Sequence, residues 1–303
     1  MLNDKVYFGL VQNLIAFPGW RGETREGLEI SKRLLNDPFF EMVEMGWVEN
    51  PEYRRTLIHS VAACGKEVTY GCGPVIFGEQ LDLNSRDSGL RKKTVERIKQ
   101  LADDALDYNA KVLLIAGGNN VEKDKKGEAM RLLVDSLEQI CGFCADIRPD
   151  SPLVVSHELF DWDIDKKLLL GPIDDSILIA KRIVKDHPNF SLTLDLSHLP
   201  LMRETSENAV KRCMPFMQHV HIGNCVLRDR NHPKHGDKHP CFGIDGSEVG
   251  RIQLQEFLEV LDENGYGKKR TPTRRPVVVA EVIPGPDDDI DMVIENIKQA
   301  IMP

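Results

Sequence analysis

The sequence predicts a single α/β domain folded as a (β/α)8 barrel. Three observations carry that prediction. Short apolar or β-branched runs alternate along the whole chain with longer stretches of 3.6-residue periodicity, and there are eight of each. The centres of the short runs are apolar throughout, as parallel strands covered by helices require. The length, 303 residues, exceeds the usual ~150 per domain but is ordinary for a barrel of eight units in one piece.

The first strand is read at KVYFGLV (5–11), followed by the helical pattern REGLEISKRLLND. FEMVEMGW (40–47) leads into PEYRRTLIHSVAACG, whose terminal Gly65 is a stop signal. EVTYGCG (67–73) precedes RKKTVERIKQLADDALDYN, and KVLLIAGG (111–118) precedes GEAMRLLVDSLEQICGF. PLVVSHEL (152–159) is followed by DDSILIAKRIVKDHP, ending at Pro188, and FSLTLDLSH (190–198) by SENAVKRCMPF. HVHIGN (219–224) and PVVVAEVI (276–283) complete the strands, with QLQEFLEVLDENGYG and IDMVIENIKQAI as their helices. The competing arrangement, a doubly wound open sheet, would place a glycine-rich phosphate turn after the first strand, where Val11-Gln-Asn-Leu-Ile stands instead. One connection is out of proportion. The 225–250 excursion, rich in Gly, Pro, Asp and His, has no helical period and reads as a functional loop on the site rim.

Composition narrows the function. Apolar residues make up 41% and charged residues 29%, which excludes a disordered chain. Lys and Arg number 39 against 48 Asp and Glu, a net charge of −9, so nucleic acid is disfavoured as a partner. No run of 18 apolar residues and no signal-peptide pattern occurs, so no membrane is expected. The seven cysteines (64, 72, 141, 144, 213, 225 and 241) are scattered, as reduced thiols of a cytoplasmic protein would be. Cys141-Gly-Phe-Cys144 has redox spacing but lies inside a helical run, which favours packing.

Barrel chemistry sits at the carboxyl ends of the strands. The fifth strand ends in His157-Glu158, the sixth carries Asp195 with His198 three residues on, the seventh holds His219 and His221, and the eighth ends in Glu281. Any one of these, taken singly, serves as often in a salt bridge, a cap or the core. Glu158, Asp195, His221 and Glu281 on four consecutive strands would crowd three carboxylates and one imidazole into one quadrant, where a cation is the natural resolution. Such a hard, oxygen-rich set suits one divalent ion, Mn²⁺ first, with Mg²⁺ and Co²⁺ also compatible.

On these residues the chain resembles the xylose isomerase-like barrel superfamily, which includes sugar and sugar phosphate isomerases, ketose 3-epimerases, inosose-pathway enzymes and type IV apurinic endonucleases. The resemblance spans essentially the whole chain. It rests on SHELFDW (Glu158), LDLSHL (Asp195, His198), HVHIGN (His221), GDKHPCFG (Asp237, His239) and VVAEVIP (Glu281), with an Asp195–His221 interval of 26 residues similar to that of the 3-epimerases. The resemblance implies that Glu158, Asp195, His221 and Glu281 hold the metal and that His198 bonds the substrate. The catalytic set it implies is Glu158, Glu281 and His198, the two glutamates exchanging protons with the substrate carbon through a metal-bound enediolate. The expected activity is therefore that of a metal-dependent sugar isomerase or epimerase acting on a small sugar or sugar derivative.

Departures from the pattern keep alternatives open. The compared epimerases have a Glu six residues after the strand-five ligand and an Arg six after the strand-seven His, where this chain has Ile164 and Leu227. The endonucleases use Asp237 and His239 as further zinc ligands but also need histidines at the ends of strands three and four, which here read TYGCGP and LIAGGNN. A trinuclear cluster is therefore not expected, and endonuclease activity or a non-catalytic carbohydrate-binding barrel stand lower. The main alternative is a lyase acting on 3-oxo-glycosides by β-elimination, as in C-deglycosylating complexes, which such barrels resemble. His157, His198, Asp237, His239 and Arg228 are the expected substrate contacts, although strand alternation turns His157 toward the helices unless the strand bends. Trp20, Phe17, Glu44 and the Asn119-Asn120 pair are weaker candidates for the site wall. Lys234, Lys238 and Arg228 give the long loop its positive charge. A homo-oligomer or a small partner subunit is compatible with the sequence.

Overall fold

The computed structural model describes residues 2–302. Eight strands, β1 (Tyr7–Val11), β2 (Met42–Gly46), β3 (Glu67–Gly71), β4 (Val112–Ile115), β5 (Val154–Glu158), β6 (Phe190–Asp195), β7 (Met217–Ile222) and β8 (Val277–Ala280), close into a barrel. Every neighbouring pair is parallel, and β8 returns to β1 with Tyr7 opposite Val277. All eight expected strands are present, seven of them shorter than their apolar runs, and β7 shifted two residues toward the N-terminus.

Helices cover the outside. Eight match the expected ones: α2 (Arg25–Asn36), α3 (Pro51–Cys64), α5 (Ser88–Asp107), α6 (Lys126–Asp146), α7 (Ile173–Ile183), α9 (Ser206–Cys213), α10 (Arg251–Glu263) and α11 (Ile290–Ile301). Three short ones, α1 (Gln12–Ala16), α4 (Gly73–Gly78) and α8 (His198–Met202), sit on the site end of the barrel. Local chemistry sets their limits. Asn50 accepts from the backbone N–H of Glu52 and Tyr53 with Pro51 opening α3, and Gly65 ends that helix in the left-handed region at φ 69°. Residues 223–250 carry no helix, in keeping with the long loop expected there.

Two-residue alternation decides what each strand presents. On β8, Val277 and Val279 belong to a cluster inside the barrel, whereas Val278 and Ala280 pack in the outer shell under the helices. Val112, Leu114 and Val154 form a second interior cluster, and Val155 points outward. These apolar layers plug the barrel, and the polar side chains of the same inward parity form the floor of a cavity above them.

Candidate metal centre and substrate cavity

Continuing the inward parity from Val154 through Ser156 reaches Glu158, and from Val277 through Val279 reaches Glu281. Glu281 lies one residue past β8, held in ladder register by its N–H on Ile222 O at 2.9 Å. Asp195 ends β6 opposite His221 of β7. One ligand atom from each of Glu158, Asp195, His221 and Glu281 falls within 4.8 Å of all the others. His221 Nδ1 is 3.0 Å from Glu158 Oε1 and 2.8 Å from Glu281 Oε2. Asp195 Oδ1 accepts from Ser197 N at 2.8 Å, but its Oδ2 is buried without a hydrogen-bond partner. The ring nitrogens nearest to it are His198 Nε2 at 3.7 Å and His239 Nδ1 at 3.9 Å. A buried carboxylate oxygen without a hydrogen bond beside two other carboxylates is an expensive arrangement that a divalent ion resolves. The donor set fits such an ion. Asp195, His198 and His239 also approach one another closely enough to hold a cation.

The electrostatics agree. Burial pushes the His221 imidazole down, but Glu44, Glu158 and Glu281 outweigh it and hold its pKa well above the ordinary value. Burial raises the Glu158 carboxyl. For Glu281 the same penalty is overcome by His239 and His221, and its pKa is lowered.

Glu44, a weak candidate from sequence, is buried inside the barrel. Its Oε2 lies 3.3 Å from His221 Nε2, 3.3 Å from His219 Nε2 and 2.9 Å from the Thr69 hydroxyl, which donates to it. With Nε2 facing Glu44, the nitrogen that His221 turns to the ligand set is Nδ1. A carboxylate behind a ligating histidine fixes its tautomer and raises its basicity. Gly71 makes room for this carboxylate, since a Cβ there would lie 2.7 Å from Glu44 Oε1.

Above the floor opens a cavity of about 190 Å³, small enough for a monosaccharide-sized ligand rather than a polymer. Glu158, His221, Glu281, Asp237, His239 and Lys166 form its polar side, and Leu14, Pro74, Phe77, Phe160 and Ile283 its apolar side. At the ends of β3 and β4 it is lined by Gly71, Gly73 and Ala116, and no histidine lines it there among the described residues.

The expected substrate contacts divide. Asp237 and His239 line the cavity, with His239 Nε2 2.8 Å from Asp237 Oδ1. His198 opens α8 instead of ending a strand, because the chain turns at Asp195 around the Ser197 N–H. Its Nδ1 meets Leu159 O at 2.7 Å and its Nε2 meets Asp237 Oδ1 at 3.2 Å, so it stands behind Asp237 and does not line the cavity. His157 does not reach the cavity at all. It faces outward with Val155 against Gly117, both ring nitrogens lack partners, and burial pushes its imidazole down to about 4. Arg228 is exposed and paired with Glu248 at 3.0 Å, away from the cavity. Neither His157 nor Arg228 lines the cavity. Lys166, unsuspected from sequence, lines the wall, and its signal was only its proximity to Glu158 along the chain.

All seven cysteines are free, and no described helix is long and apolar enough to cross a membrane. A profile of the xylose isomerase-like TIM barrel family matches residues 40–299. No curated protein sequence matches this chain. Among solved structures, a D-tagatose 3-epimerase-like protein superposes with a TM-score of 0.72 at 19% identity, over 98% of this chain and 97% of its own. The D-psicose 3-epimerase of Clostridium cellulolyticum H10 gives 0.66 at 15% identity, over 98% and 97% of the two chains. The 3-keto-D-glucoside 4-epimerase of E. coli gives 0.64 at 13%, over 97% and 98%. At such identities the likeness speaks for the fold alone. The family profile, covering most of the chain, goes further: this protein belongs to the xylose isomerase-like TIM barrels.

Proposed function

We propose that this protein is a divalent-metal-dependent isomerase or epimerase of a small sugar, acting by proton transfer at the carbon beside a carbonyl. The observation that carries this reading is the convergence of Glu158, Asp195, His221 and Glu281, with Asp195 Oδ2 making no hydrogen bond, at the base of a monosaccharide-sized cavity. A divalent ion held there, manganese by preference, would polarise a carbonyl and acidify the adjacent C–H. Glu158 and Glu281 both line the cavity, from the fifth and eighth strands. One carboxylate removes the proton to leave an enediolate, and the other carboxyl group returns a proton to the opposite face or to the neighbouring carbon. His198 acts through Asp237, which it orients, and His239, which lines the cavity beside Glu281, contacts the substrate in this reading.

The neighbouring epimerases of D-psicose and of a 3-keto-glucoside give the class of sugar to try first. The apolar side, with Pro74, Phe77 and Phe160, also favours a second reading, an oxidised glycoside whose aglycone rests on that wall. There the C–H proton leaves, the bond to the aglycone oxygen two carbons from the carbonyl breaks, and that oxygen takes up a proton.

The test is incubation of Mn²⁺-loaded protein with D-psicose, D-tagatose and 3-oxo-glucosides in D₂O. Deuterium beside the carbonyl of product supports the proton transfer, and release of free aglycone selects elimination. Turnover without exchange or loss of that C–H refutes the mechanism. So does a manganese content unchanged in Glu158→Gln and Glu281→Gln.

A further inference from the structure

Asp161, three residues after Glu158, is almost wholly buried and is used entirely by the backbone that follows it. Its Oδ1 accepts from Ile164 N at 2.6 Å and Asp165 N at 2.8 Å, and its Oδ2 accepts from Lys166 N at 2.8 Å. Leu168 N closes the turn on Asp161 O at 2.8 Å. An aspartate that captures successive amides in this way replaces missing secondary structure with a fixed loop. The loop aims one side chain, Lys166, into the cavity.

The Lys166 ammonium is anchored, but not exhausted. It donates to Asp237 Oδ2 at 2.7 Å and to Asp237 O at 3.0 Å. An ammonium has three N–H donors, and no further acceptor lies within hydrogen-bond distance among the described residues, Asp165 Oδ2 being 3.6 Å away. Asp165 in turn accepts from Asp237 N at 2.9 Å and pairs with Lys238 at 3.0 Å, which pins the loop after β5 to the loop after β7. His239 Nε2 reaches both Asp237 Oδ1, at 2.8 Å, and Glu281 Oε1, at 3.6 Å. Glu281, His239, Asp237 and Lys166 therefore form one polar arc from the candidate ligand set up the cavity wall, with the Phe77 ring 5.6 Å from the ammonium at its far end.

A sugar held only through its carbonyl and one neighbouring hydroxyl can turn about that end. A second, distant polar contact removes the freedom, and a donor already held in place costs little ordering entropy to use. We propose that Lys166 is a substrate-binding residue whose free N–H donates to a sugar oxygen beyond the two carbons served by Glu158 and Glu281, fixing the orientation of the sugar in the cavity. This rests on the sugar-processing reading above. The ammonium already shares its charge with Asp237, so the contact suits a hydroxyl.

The experiment compares Mn²⁺-loaded wild type, Lys166→Met and Lys166→Gln by calorimetric titration with D-fructose, D-tagatose and the 4-, 5- and 6-deoxy derivatives of D-fructose, alongside KM and kcat. A hydrogen bond from a charged donor predicts a roughly 10- to 100-fold loss of affinity in Lys166→Met. KM should rise by more than kcat falls, manganese uptake should stay at the wild-type level, and Lys166→Gln should recover part of the loss. One deoxy sugar should bind wild type more weakly by a similar factor and bind Lys166→Met no worse than the parent sugar does. An equal loss for every deoxy sugar on both proteins means that Lys166 only braces the loops, and overturns the assignment. Affinity in Lys166→Met equal to wild type overturns it as well. If Lys166→Met does not fold, Lys166→Gln with the deoxy series decides in the same way. Absence of any sugar binding by manganese-loaded wild type overturns the sugar-processing reading and this assignment together.

Discussion

Replacing Glu44 with Gln tests whether the carboxylate behind His221 tunes the proposed metal centre. Glu44 is 2% exposed, and Thr69, His219 and His221 all converge on its Oε2. Glu44→Gln preserves the volume under Gly71 and leaves an amide oxygen to accept one bond, but it deletes the charge facing His221 Nε2. The imidazole then becomes a poorer donor through Nδ1, and its ring loses the charged partner of its Nε2. Loss of such a partner typically costs 10- to 100-fold in metal affinity, or about 1.4–2.7 kcal/mol. Thr69→Val is the control, since it removes one hydroxyl contact and keeps the charge, and it should cost less than about tenfold. Manganese affinity is measured by competition with a fluorescent chelator at fixed pH and ionic strength. An affinity for Glu44→Gln within twofold of wild type, or Thr69→Val as damaging as Glu44→Gln, would refute the role assigned to Glu44.

Gly223→Ala places a Cβ 2.6 Å from His239 Nδ1 and 3.1 Å from the Ser197 side chain. Overpacking of this kind should cost about 1–3 kcal/mol, roughly a 2–5 °C fall in Tm, and weaken sugar binding while manganese uptake persists. Unchanged sugar affinity by calorimetry would show that His239 is not a contact. His157→Leu should keep manganese content and turnover, because the side chain faces Gly117 and its ring nitrogens have no partners to lose. Arg228→Ala should leave KM within about twofold, since an exposed ion pair contributes little; a larger rise would return Arg228 to the site. Native protein at pH 8 should expose at most Cys64 and Cys241 to Ellman's reagent, and denatured protein all seven thiols. Burial pushes Cys144 and Cys213 up to about 12, and the thiolate is the reactive form. Rapid native labelling of Cys141 or Cys144 would reopen a redox role for that pair.

The barrel was legible because each of its elements states its class locally. A run such as VVSHE or VVVA is too short and too β-branched for a helix, and α5 and α6 are long enough to display their period. The helices α1, α4 and α8 were not legible, since five or six residues cannot show a 3.6-residue repeat. For the same reason His198 read as the end of a strand, when a single bond from Ser197 N to Asp195 ends β6 and starts a helix. Glu158, Asp195, His221 and Glu281 were legible as strand-end residues, and parity along β5 and β8 carries them inward.

Contacts made across the chain behave differently. Glu44 meets His221, 177 residues away, and Lys166 meets Asp237, 71 residues away; no local pattern announces either pair. Arg228 shows the converse, a charge in a promising loop that is spent on Glu248. His157 and Glu158 put the distinction most sharply. They are adjacent on one strand and both buried, yet parity gives one to the packing under the helices and the other to the ligand set. Parity ends where the strand ends, and beyond it a carboxylate such as Asp161 decides the course of the loop. In the proposed reaction the proton-transfer step would draw on side chains whose positions follow from the strands, whereas orientation of the sugar would fall to Lys166, Asp237 and His239, whose positions follow from loop bonds. The deoxy-sugar series on Lys166 variants therefore bears on specificity where substitution of the candidate metal ligands does not.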